Sequence, residues 1–448
     1  MPTVRRRLAL LAAALGVAAL QGCPEKLPKN AATTASARAT ASPPRRAGPA
    51  PPALQSATAI APQDTATRAS ELARRFIILD GHIDTPHRLA QTRDRQGRLT
   101  HDIATSAPDL RFDYERARRG GLDVPFLAIY VPVKYEGRGA KSYANGLIDL
   151  VEQVVRAAPA RLALARSPAD VRAQVASGRI SVALGMENGA PLERRLENVS
   201  HFHARGVRYI TLAHSRDNHL ADSSYDGRRT HRGLSAFGKR AVAEMNRVGV
   251  MIDVSHVSDD AFWQILELSR TPVIASHSAC RHFTPGWSRN LSDEMIRALA
   301  KAGGVLQINF GAMFLDDSVR KAQTARGKQL AAALEKLDPG VSPELREQAK
   351  QRFLDEHPLK RATLERAADH VTHAVKLVGA RHVGLGSDFD GVDPMAEGLT
   401  DVSGYPNLIR VLLERGFSEA DIEAICSGNV LRVWQEVEDF AERAGSGL

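Results

Sequence analysis

The chain has 448 residues, of which 43% are apolar, 25% charged and 5% aromatic, a globular composition that excludes collagen-like and wholly disordered chains. Its three cysteines exclude a disulfide-built scaffold. The formal net charge is +9, but residues 1–66 hold eight Lys/Arg against two Asp/Glu. The other residues carry only about +3, which points to no nucleic-acid partner.

Met1–Cys23 opens with Arg5, Arg6 and Arg7 and continues as the apolar stretch Leu8–Leu20, too short to span a bilayer stably and built like an export signal. Its end, Leu20-Gln21-Gly22-Cys23, resembles a bacterial lipobox. Lipidation of Cys23 is therefore expected, with an ordinary cleaved secretory signal as the alternative. The expected location is the bacterial cell envelope, with an N-terminal lipid anchor at a membrane facing the periplasm or the cell surface. Residues 24–66 contain thirteen Ala, eight Pro and no aromatic residue, and read as a disordered, extended tether. The folded unit is expected over 67–448.

From Arg75 onward, short β-branched runs alternate with amphipathic stretches. The runs are Phe76–Asp80, Val124–Val131, Ile180–Leu184, Tyr209–Leu212, Val248–Val254, Pro272–Ala275, Gly304–Phe310 and His382–Gly386. Most are continuously apolar, as parallel strands buried on both faces are. Leu234–Val248, Asp259–Ser269 and Asp293–Ala302 have helical periodicity. Eight strands alternating with helices predict a (β/α)8 barrel, a TIM-like fold. Leu330–Asp355, polar and rich in Ala, Glu and Lys, predicts an inserted helical pair before the eighth strand. Ser418–Val437 opens close to a capping box and predicts one or two closing helices.

Barrel enzymes place their chemistry at the C-terminal ends of the strands, and six of these eight runs are closely followed by His, Asp or Glu. His82 and Asp84 stand two apart in extended chain, so both point to one side. His256 and His277 follow neighbouring runs, and Glu187 lies between the two pairs around the ring. A His/carboxylate pair and a His/His pair with a bridging carboxylate suit two zinc ions about 3.5–4 Å apart with a shared water or hydroxide. No Lys ends the fourth run, so a carbamylated-lysine bridge is unavailable. Glu187 as a helix cap, and His256 or His277 as satisfied core histidines, remain alternative readings. His201, His203, His370 and His373 fall in predicted helices and read as structural.

The strings His82-Ile83-Asp84, Gly185-Met186-Glu187-Asn188-Gly189, Asp253-Val254-Ser255-His256, Ser276-His277-Ser278, Ser288-Arg289-Asn290-Leu291 and Gly386-Ser387-Asp388-Phe389-Asp390-Gly391 resemble the membrane dipeptidase (renal dipeptidase) family. The resemblance runs from about Ala73 to Val437. It implies a binuclear zinc barrel of the amidohydrolase group that hydrolyses dipeptides and tolerates a D-residue at the C-terminal position. By that resemblance His82 and Asp84 would bind one zinc, His256 and His277 the other, and Glu187 would bridge. His214 would stabilise the oxyanion, Arg289 would bind the substrate carboxylate, and Asp388 would handle the amine or shuttle a proton. Asp390 in place of Asp388, and Arg289 as a loop ion pair, stay open. Relatives often dimerise, so a homodimer is one expected state. Two departures stand out: no tyrosine follows Asn309-Phe310, and the disulfides of animal relatives cannot form from Cys280 and Cys426, of which Cys426 reads as a buried thiol. A related metallo-amidase acting on N-acyl amino acids or lactams, and a non-catalytic surface binding lipoprotein, are the competing readings.

Overall fold

A strand buried on both faces needs helices outside the sheet and side chains filling the inside. The computed structural model describes residues 62–446 except 95 and 339; the signal segment, Cys23 and the tether up to residue 61 lie outside the described residues. The first helix, Pro62–Arg75, begins before the boundary at 67 read from the sequence. Nine strands follow: β1 Ile78–Ile83, β2 Leu122–Tyr130, β3 Leu162–Leu164, β4 Ile180–Glu187, β5 Val207–Thr211, β6 Met251–Asp253, β7 Ile274–Ser278, β8 Val305–Ile308 and β9 Val383–Leu385. All pairings are parallel, in the order β1-β2-β4-β5-β6-β7-β8-β9, with β3 paired to β4 outside this path.

Each of the eight predicted runs overlaps one barrel strand; β3 is additional. The ends differ in ways that local chemistry explains. The predicted Val248–Val254 starts too early, because Ala236–Val248 is still helix and Gly249, at φ 87°, ends it in the left-handed conformation. β1 and β4 run further than predicted, so that His82 and Glu187 lie within strands. The ring closes beyond β9. Asp388 N donates to His82 O at 3.0 Å, Asp84 N donates to Phe389 O at 2.8 Å, and Ile83 bridges Phe389 in parallel. Buried Asp80 fastens this seam, accepting from Ser387 N at 2.9 Å, His82 N at 3.0 Å and Tyr405 Oη at 2.5 Å.

The predicted insertion is a helical pair, but its first helix, Asp317–Glu335, begins well before Leu330; the second is Pro343–Glu356. The second helix buries none of its residues and lies on the surface. At the other end of the chain, Ser418 caps a short helix by accepting from Asp421 N, and Asn429–Ser446 then closes the bottom of the barrel. Val430, Leu431, Trp434 and Val437 of that helix pack against Leu79, Phe126, Ile274 and Val305 of the strands. Among the described residues no helix is long and apolar enough to cross a membrane.

An aromatic column links this floor to the mouth. Trp434 and Tyr209 each lie 5.4 Å, centroid to centroid, from Phe126, and the Tyr209 hydroxyl is 2.8 Å from His82 Nδ1. The column has room only because residue 185 is glycine: a Cβ there would stand 1.9 Å from Tyr209 Cζ. Gly185→Ala is therefore expected to lower stability by about 1–3 kcal/mol through overpacking. Urea unfolding measures it, and an unchanged midpoint would contradict this role for Gly185.

Candidate metal centre and active site

Strand alternation sets His82 and Asp84 on one side, as predicted, with His82 Nε2 3.2 Å from Asp84 Oδ2. Glu187 projects from the end of β4 between them and the remaining histidines. Its Oε2 lies 3.5 Å from His82 Nε2. Its Oε1 lies 3.0 Å from His256 Nε2, 3.4 Å from His277 Nε2 and 3.3 Å from His214 Nε2. The two carboxylate oxygens thus face two different sets of side chains. Asp388, Asp84 and His82 converge on the same space. All these residues are buried except His214, whose side chain is 18% exposed.

The backbone is shaped for this convergence. His256 and Asp388 have φ of 67° and 66°, a left-handed conformation that costs a non-glycine residue energy and recurs at functional sites. Gly391 is needed for space: a Cβ there would come within 2.3 Å of both Asp388 Oδ1 and Asp84 Oδ2. Asp390 does not join the cluster; it accepts from Thr85 Oγ1 at 2.5 Å and from Arg111 N at 2.8 Å.

The charges are mutually dependent. Burial works to raise the Glu187 carboxyl, but His214, His82, His256 and His277 together hold it well below the usual carboxylate range. Burial opposes protonation of His82, yet Tyr209, Asp84 and Glu187 outweigh it and raise that group. His256 and His277 are pushed well down, chiefly by burial, with Arg289 adding to both. Asp388 is pushed well up by burial and then by the neighbouring Asp84 charge, against a 2.8 Å hydrogen bond from Asn309 Nδ2.

Metal binding fits these residues on two counts. His82 Nε2 and Asp84 Oδ1 are buried with no hydrogen-bond partner among the described residues, which is costly unless something else satisfies them. His256 Nε2 and His277 Nε2 approach to 2.8 Å, an arrangement of two ring nitrogens suited to ligation of a shared cation. Imidazole and carboxylate donors are the ordinary set for zinc-like ions. The supporting shell is in place as well. Tyr209 holds His82 Nδ1. His277 Nδ1 is 2.7 Å from Ser276 Oγ, which donates to Asp253 Oδ2 at 2.7 Å.

Arg289, on the loop after β7, is buried. Its Nη1 donates to Ser278 Oγ at 2.7 Å, its Nη2 donates to His277 O at 2.8 Å, and Nη2 also lies 2.9 Å from His256 Nε2. Its Nε is left without a partner among the described residues. No carboxylate pairs with Arg289 among the described residues, so it is not a loop ion pair.

Three side chains lining this space were not singled out in the sequence. Tyr130 ends β2 and sits 4.8 Å from the His214 ring and 5.0 Å from His87. Tyr225 lies 5.8 Å from His256, and its phenol, pushed up to about 12 by burial, also feels a hydrogen bond from Arg289. Asn309 is the third. Tyr130 occupies a strand end and was findable by position; Tyr225 comes from an irregular loop with no periodic signal. His370 is a satisfied core histidine, its nitrogens meeting Cys280 N and Leu315 O. Cys426 is a buried free thiol, as expected.

Residues 66–446 match the family model described as membrane dipeptidase, peptidase family M19. The chain is 32% identical over 375 residues to the dipeptidase tcpJ of Claviceps purpurea, covering 81% of this chain and 77% of that protein. Among solved structures it resembles the probable dipeptidase PvdM from Pseudomonas aeruginosa, with TM-score 0.71 and 31% identity over 85% of this chain and all of that one. It also resembles dipeptidase AC, a metallo peptidase of the same family, with TM-score 0.66 and 25% identity over 81% of this chain and 98% of that one.

Glu187→Gln keeps the side-chain shape and removes the charge that faces both ligand groups. The variant is expected to stay folded by circular dichroism but to lose bound metal by elemental analysis. Wild-type metal content in the variant would show that Glu187 is not a ligand.

Proposed function

From the premise that the chain belongs to the membrane dipeptidase family of metallopeptidases, we propose that it is a zinc-dependent dipeptidase for substrates with a free C-terminal carboxylate, a D-residue being accepted at that position. The observation that carries this reading is the division of Glu187 between two ligand groups, with a buried guanidinium beside them. His82 and Asp84 would hold one zinc, His256 and His277 the second, and Glu187 both. When bound, such a pair polarises the scissile carbonyl and lets an attacking water ionise near neutral pH.

The remaining work falls to this chain's own side chains. His214 is lowered by burial, and its ring is fixed by Ser215 Oγ at 2.6 Å from Nδ1. From there it would donate a hydrogen bond to the carbonyl oxygen as negative charge grows on it. Asp388, held by Asn309, would take the proton of the attacking water and deliver it to the leaving amine nitrogen. Arg289 would bind the terminal carboxylate. Its unpartnered Nε and its planar fork suit a carboxylate better than a point charge would. Ligation through His256 Nε2 would also free Nη2 from that nitrogen. A metal centre at one end and a guanidinium at the other would fix the distance between scissile amide and carboxylate, which selects two-residue substrates.

Arg289→Met removes the charge and keeps much of the stem. Hydrolysis of free-acid dipeptides is expected to lose about 1.5–3 kcal/mol of kcat/KM, roughly ten- to a hundredfold. Dipeptide amides are expected to be poor substrates for the wild type and to change little. Equal losses for acid and amide would make Arg289 structural and remove the carboxylate clamp.

A further inference from the structure

His373, read from the sequence as a structural helix residue, has company on the far side of the Arg289 loop. It lies on the helix Leu364–Val378, and its Nε2 is 2.8 Å from Oδ1 of Asp293, the first residue of the helix Asp293–Lys301. His282, in the turn Arg281–Phe283, stacks on the His373 ring at 4.4 Å and an interplanar angle of 21°. One donor atom from each of the three lies within 4.8 Å of the others. His282 is exposed, and its ring nitrogens make no hydrogen bond among the described residues.

The turn that presents His282 is held on both sides. Arg281 makes a two-pronged ion pair with Asp259, at 2.7 Å for each contact, and its backbone N donates to Leu291 O at 2.8 Å. Phe283 packs 4.4 Å from His370 and 5.5 Å from His373, with the Arg366 guanidinium 5.2 Å above its ring. His282 is therefore fixed against its partners by its neighbours, so ordering it around an ion costs little further entropy.

We infer that His282, Asp293 and His373 form a peripheral site for a divalent transition-metal ion of the zinc type, separate from the barrel mouth. Two imidazoles and one carboxylate from three elements match the ligand set that such ions prefer, with water completing the coordination. An ion there would pin the loop between His277 and Arg289 to the helix Leu364–Val378. Its expected role is thus to brace the segment that carries the guanidinium.

Equilibrium dialysis against free Zn2+, followed by elemental analysis, tests this on the wild type, His282→Gln and His373→Gln. Each variant is expected to hold one zinc fewer per chain than the wild type. Zinc should also raise the Tm of each variant less than that of the wild type. The readout is a difference between proteins, so it does not depend on how many ions the barrel mouth holds or on what reaction occurs there. His282→Gln alters an exposed side chain and should fold normally even if His373→Gln does not. Equal zinc content and equal zinc-dependent Tm in wild type and His282→Gln would overturn the site.

Discussion

A carboxylate taken out of water must be compensated by charge or hydrogen bonds at close range. Glu187 satisfies this demand with four imidazoles, at 3.0–3.5 Å. Those imidazoles come from β1, from the loops after β5 and β6, and from β7. Only a closed ring brings those elements to one point. The Asp80 seam between β1 and the end of β9 is accordingly part of the site's chemistry as well as of the fold. Without it Asp388 would not stand beside Asp84.

The same dependence explains how much of the molecule is devoted to holding these side chains still. Asp253 accepts from Ser255 N at 3.0 Å and Ser276 N at 2.8 Å, and its other oxygen takes the hydroxyls of Ser276 and Thr211. Ser276 in turn orients His277. Tyr209 does the equivalent for His82 and rests on Phe126 and Trp434 below. A ligand ring fixed through its second nitrogen loses less freedom when an ion binds. Here that fixing reaches down to the closing helix at the barrel floor.

Much of this was legible in the sequence, for identifiable reasons. Continuous apolar runs mark strands buried on both faces, and the His, Asp and Glu that follow them mark the mouth. The register of His82 with Asp84 follows from strand alternation alone. Strand ends were less legible. Where the chain stays extended into the site, as at His82 and Glu187, polar side chains sit inside the strand and interrupt the apolar run. β3, with three residues, is too short to carry a period. Tyr225 joins the site through a loop whose path depends on the closed barrel. His373 read as structural because Asp293 and His282 come from other elements, and only the packed helices bring them together.

Crystals of the protein grown with zinc, measured for anomalous scattering at the zinc edge, address the proposed Glu187 bridge most directly. Two peaks are expected on either side of that carboxylate, one against His82 and Asp84 and the other against His256 and His277. A fully active protein with a single peak, or with none in contact with Glu187, would contradict the bridged centre.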